Sequence, residues 1–69
     1  MKKLSKNDLH DILMLRQDLQ NVEVRCQNLR EVLDKKGWRE NGSLLDDVEY
    51  EVKEFRLELL EIERKNGEI

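Results

Sequence analysis

Proline is absent from the 69 residues, and glycine occurs only three times. Helices can therefore run uninterrupted between Gly37, Gly42 and Gly67. Cysteine occurs once, at Cys26. A lone thiol excludes an internal disulfide, leaves no zinc-ligand spacing and suits a reducing cytoplasm. Aromatic residues are confined to Trp38, Tyr50 and Phe55. No stretch approaches the ~18 consecutive apolar residues of a membrane-spanning helix. The basic start Met1-Lys2-Lys3 lacks the apolar segment of a signal peptide. An excess of positive charge is missing too: the net charge is -3, so no overall field draws the chain to nucleic acid or anionic lipid.

Catalytic constellations are equally scarce. The one histidine, His10, lies far from Cys26 in sequence, so no Cys/His nucleophile pair is expected. No phosphate-binding loop, glycine-rich dinucleotide turn or calcium-binding loop is present. Carboxylates abound, but nothing in the sequence would desolvate one to shift its pKa. No enzymatic activity, cofactor, metal or small-molecule substrate is expected.

What the chain has is charge and leucine in a regular order. Charged residues make up 42% of it, as in long helices and coiled coils. Ile12, Leu15, Leu19, Val22, Cys26, Leu29 and Leu33 are spaced alternately three and four apart. That is a heptad seam, with Ile12, Leu19, Cys26 and Leu33 at a and Leu15, Val22 and Leu29 at d. Leu45, Val48, Val52, Phe55, Leu59 and Ile62 repeat the pattern, with Leu45, Val52 and Leu59 at a and the others at d. Ser5 and Asp8 form a short capping box, and Leu4 and Leu9 a hydrophobic staple. Lys35-Lys36-Gly37 reads as a helix end with a left-handed glycine, after which Trp38 can fold back onto Leu33. Asn41-Gly42 signals a turn, and Ser43 a second cap. The spacing predicts one domain over residues 1–69: a helix over 6–36, a loop over 37–43 and a helix over 44–66.

The expected fold is all-α, an antiparallel two-helix coiled-coil hairpin. Pairing the two a/d seams sets Leu33 opposite Val48, Leu29 opposite Val52, Cys26 opposite Phe55, Val22 opposite Leu59 and Leu19 opposite Ile62. The same register brings together Arg30 and Glu49, Glu23 and Arg56, and Arg16 and Glu63 at e positions. At g positions it joins Arg25 to Glu58 and Asp18 to Lys65. All these pairs are opposite in sign, whereas parallel self-pairing would oppose Asp18 to Glu23 and Arg25 to Arg30.

A hairpin of this length buries one stripe per helix and commonly needs oligomerisation for stability. Apolar residues outside the seam are therefore candidate protein contacts: Leu9, Leu13 and Met14 on the first helix, and Tyr50, Leu57 and Leu60 on the second. They suggest a homodimer forming a four-helix bundle, in a small regulatory, adaptor or inhibitor protein that binds itself and an unidentified partner protein. A second reading comes from Asp47, Glu54, Glu61 and Glu68, which repeat every seventh residue at c positions. This acidic ridge could imitate nucleic-acid phosphates and block a nucleic-acid-binding protein. A third is a structural subunit of a larger assembly. The cluster Lys35-Lys36-Gly37-Trp38-Arg39 could grip a phosphate and stack a base, but it reads more simply as a helix cap, and nucleic acid is not the expected partner.

Leu15-Arg16-Gln17-Asp18-Leu19 resembles the first helix of the small sporulation phosphatases that fold as helical hairpins. Their Ser-Gln-Glu-Leu-Asp signature is missing; Ser43-Leu44-Leu45-Asp46-Asp47 does not supply it, so no residue role transfers. The outline is also similar to a small two-helix protein of the large ribosomal subunit, a family that is basic where this chain is acidic.

Overall fold

A computed structural model describes residues 1–69 as two helices, α1 (Lys6–Lys35) and α2 (Arg39–Gly67), packed antiparallel as a hairpin. The Cα atoms span 50 × 16 × 11 Å, a flat rod two helices wide. No helix is long and apolar enough to cross a membrane.

The start of α1 follows from its cap. The Ser5 hydroxyl accepts from the Asp8 amide at 3.1 Å, and the Asp8 carboxylate accepts from the Ser5 amide at 2.9 Å. This reciprocal pair satisfies two backbone donors that the first turn would otherwise leave open. The end of α1 is a Schellman turn. Trp38 N–H donates to Leu33 O at 2.8 Å, and Gly37 N–H to Asp34 O at 3.2 Å. Gly37 carries the required positive φ of 86°, a conformation that costs glycine little and other residues more. The Trp38 ring does not seal this turn; it stays 58% exposed.

The chain reverses in three residues, Lys36 to Trp38, rather than over the expected 37–43. The second helix starts at Arg39, five residues before the expected 44, and Asn41-Gly42 belongs to its first turn. Trp38 O already accepts from Gly42 N–H at 2.9 Å. Ser43 does not cap; its hydroxyl donates to Glu40 O at 2.7 Å, three residues back along the helix. Gly42 permits the tight reversal. A Cβ there would sit 3.0 Å from Asp34 Oδ1 and 3.7 Å from Leu33 Cβ, so the lack of a side chain lets α2 close directly onto the last turn of α1.

The helices do not meet across the expected a/d seam. On α1 the less exposed residues are Leu9, Ile12, Arg16, Leu19, Glu23, Cys26, Arg30 and Leu33. On α2 they include Gly42, Leu45, Glu49, Val52, Arg56, Leu59, Glu63 and Asn66. With Leu9 and Gly42 at e, these sets are the a and e positions; on α2 only Asp46 and Glu61 are half-buried outside them. Each helix is thus turned about its axis so that a and e share the contact. The interior is thin: Cys26 (9% exposed) and Leu59 (5%) are the only buried hydrophobic residues, and no side chain is fully enclosed.

Candidate interaction surface

The rotation follows from the charges at e. Arg16 Nε donates to Glu63 Oε1 at 3.2 Å, and Arg56 Nε to Glu23 Oε2 at 2.7 Å. Glu23 is 8% exposed. Bringing these long side chains into bonding distance turns the e rows inward, and their aliphatic stems then pack beside the a row. Two e–e pairs therefore form as expected from the sequence. The third is replaced: Arg30 pairs with Asp46, and Glu49 accepts instead from Gln27 Nε2 at 2.6 Å. The substitution arises because α2 begins early and presses against Arg30, whose Cγ would lie 3.6 Å from a Cβ at position 42. The two expected g pairs, Arg25 with Glu58 and Asp18 with Lys65, do not form within the chain, because the g rows face away from the contact.

Turning a and e inward turns d outward. At about 100° per residue, d lies about 60° to one side of a, and b about 60° beyond e. In an antiparallel pair the d rows of both helices then emerge on one broad face, and the b rows on the other. The d face is entirely apolar along its middle: Leu15, Val22 and Leu29 from α1, and Val48, Phe55 and Ile62 from α2. Each is 40–50% exposed, and Val32 and Leu44 at g widen the strip at the loop end. The b face is different. Its residues are Leu13, Gln20, Gln27, Asp34, Asp46, Lys53 and Leu60, a mixed surface whose two leucines both lie toward the open end. The packing therefore leaves one apolar and one polar face.

This corrects the expected core. Phe55, expected opposite Cys26, stands 50% exposed, and Val48 and Ile62 stand 46% and 42% exposed. The anticipated contact residues outside the seam are placed as follows. Leu13 and Leu60 (38% and 37% exposed) lie on the b face, with Tyr50 (64%) and Leu57 (44%) beyond it at f. Met14, 45% exposed, points outward at c. Leu9 is half-buried in the hairpin. These residues share no surface with the d face. Two signals of the rotation were present in the sequence: a glycine at an e position, Gly42, and apolar residues at g beside the d row, Val32 and Leu44.

The acidic ridge is only partly free. Arg64 pairs with both Glu61 and Glu68. Its hydrogen bond holds the Glu61 carboxyl below the usual glutamate range, and Glu61 in turn raises Arg64. Asp47 and Glu54 have no cationic partner. No grouping of acidic, histidine and cysteine side chains could hold a metal ion. At the open end of the hairpin, Met1, Leu4, Ile62, Asn66 and Ile69 help line a shallow cleft of about 250 Å³. There Asn66, 5% exposed, accepts a hydrogen bond from Leu4 N–H through Oδ1 at 2.6 Å, which ties the segment before α1 to the last turn of α2.

Comparison with known proteins gave no match: no family pattern, no curated protein and no solved structure is significantly similar to the chain.

Proposed function

We propose that the chain is a non-enzymatic protein-interaction module: it self-associates through its d face, and a partner protein engages the surface that remains. The observation that carries this is the d face itself. Six apolar side chains in register lie 40–50% exposed on one side of a hairpin that buries only two hydrophobic residues. Exposed apolar surface of that extent and regularity marks a protein contact, and a thin two-helix unit gains the core it lacks by acquiring one. Once the d face is covered, Leu13, Leu57, Leu60, Tyr50 and Met14 remain outside and are the contact candidates for a partner protein, as in an adaptor or inhibitor. The acidic ridge carries less weight, because Arg64 offsets charge at two of its four members.

The test is sedimentation equilibrium of the whole chain from about 1 to 100 µM. A dimer dissociating within or below that range is expected. A folded monomer throughout would refute self-association.

A further inference from the structure

We infer that the occupant of the d face is a second copy of this chain lying with its loop at the same end, so that α1 of each copy packs against α2 of the other about a two-fold axis parallel to the rod. This rests on the reading of the d face as a self-association surface and adds the geometry of the complex. The area is suitable: a face of roughly 50 by 16 Å is on the order of 800 Å² per copy, what a stable specific interface uses. A symmetric pair is also the commonest way for one self-complementary face to be covered.

Orientation follows from the g rows, which flank the d face and would meet across the new contact. None of their charged residues takes part in an ion pair within the hairpin. Along α1 they read Asp11, Asp18, Arg25 and Val32; along α2 they read Leu44, Glu51, Glu58 and Lys65. The e pairs Arg16–Glu63 and Glu23–Arg56 fix which residues are level. In both pairs the residue numbers sum to 79. With loops together, the same levels apply between copies. Arg25 then falls between Glu51 and Glu58 of the second copy. Lys65 lies near Asp11 and Asp18 of the second copy, and Val32 comes beside Leu44 of the second copy. One kind of like-charge approach remains, Asp18 to Glu58 of the second copy, and it too occurs twice by symmetry. The rival arrangement, with loops at opposite ends, lays α2 against α2. It also lays α1 against α1, so each g row meets only itself: where Glu51 faces Glu58 of the second copy, Arg25 faces its own symmetry mate, and where Glu51 faces Lys65 of the second copy, Glu58 faces its own mate. Complementary rows select orientation and register even where each exposed pair is weak.

The test is rescue in trans, using R25E and E58R as separate full-length chains with helicity checked by circular dichroism. R25E alone is expected to weaken self-association at least about tenfold, since both symmetric contacts become repulsive, and E58R alone by less, because reversing Glu58 also relieves its approach to Asp18 of the second copy. An equimolar mixture is expected to return to wild-type affinity as a heterodimer, because each reversed charge then meets its opposite. If wild type dimerises but the mixture shows no recovery, the loop-to-loop arrangement is overturned and the self-association reading survives. If wild type is a monomer, the self-association reading itself falls.

Discussion

Replacing Phe55 by alanine probes the d face with the least disturbance to the hairpin. In the isolated chain Phe55 is already 50% exposed, so only half of its side chain is removed from water by folding. Full burial of a phenylalanine contributes up to about 3 kcal/mol. Covering the exposed half therefore contributes about 1–1.5 kcal/mol per copy. A symmetric dimer contains the residue twice, so F55A is expected to cost association about 2–3 kcal/mol, a rise in Kd of roughly 30- to 150-fold. The hairpin itself loses only about 1 kcal/mol or so by the same area reasoning. The control is L60A on the opposite face, where Leu60 is 37% exposed. It removes a comparable amount of hairpin packing and should change Kd by less than about threefold, within the spread expected for a residue outside the contact. Sedimentation equilibrium reads Kd, and circular dichroism at matched concentration verifies helicity. Equal Kd values for F55A and wild type would refute the assignment of the d face. A larger effect of L60A than of F55A would move the contact to the b face.

Two further outcomes follow from the fold. Leu59 is 5% exposed at the centre of the a row, so L59A should destabilise the chain by about 2–4 kcal/mol, read as a lower thermal midpoint at fixed protein concentration; a shift under about 1 kcal/mol would contradict the observed interior. The Asp8 carboxyl is held below its ordinary value by hydrogen bonding to the Ser5 backbone and then to its side chain. Its contribution is therefore present above the ordinary aspartate range and is lost as pH falls below that range through the folded value. The protection of the Ser5 amide relative to its intrinsic exchange rate at each pH should fall on acidification, and D8A should show little protection at any pH; equal protection in D8A and wild type at neutral pH would remove the capping box from the account.

How much of this was legible in the sequence can be traced residue by residue. The period of Ile12 to Leu33 and of Leu45 to Ile62 predicts two helices, and the Ser5–Asp8 box and Gly37 turn appear as expected. Arg16–Glu63 and Glu23–Arg56 confirm the antiparallel order and its register. The sequence predicts too long a loop because Asn41, Gly42 and Ser43 are individually turn formers, whereas the Schellman geometry needs only Gly37 and its neighbours to reverse the chain. The heptad pattern predicts a different seam because a and d together form the core of an isolated coiled coil. In a hairpin that presents a second face, d serves that face, and charged residues at e take its place inside. The sequence marks the same twelve or so apolar positions in either case; only the side chains between them, Arg16, Glu23, Arg56 and Glu63, decide which way the helices roll.

The three-residue reversal also determines what the chain cannot become. Leu33 and Leu45, the last a residue of α1 and the first of α2, are twelve positions apart. If the reversal were straightened into one continuous helix, those twelve residues would carry the stripe about 120° around the axis, at about 100° per residue. The two halves of the apolar line would then point in different directions, and no straight seam could use both. Opening the hairpin into a single long rod, or exchanging α2 between copies through such a rod, thus separates surfaces that the bend unites. The break in heptad phase at Gly37 acts as a geometric lock: the chain has one continuous apolar surface only when it is folded back on itself.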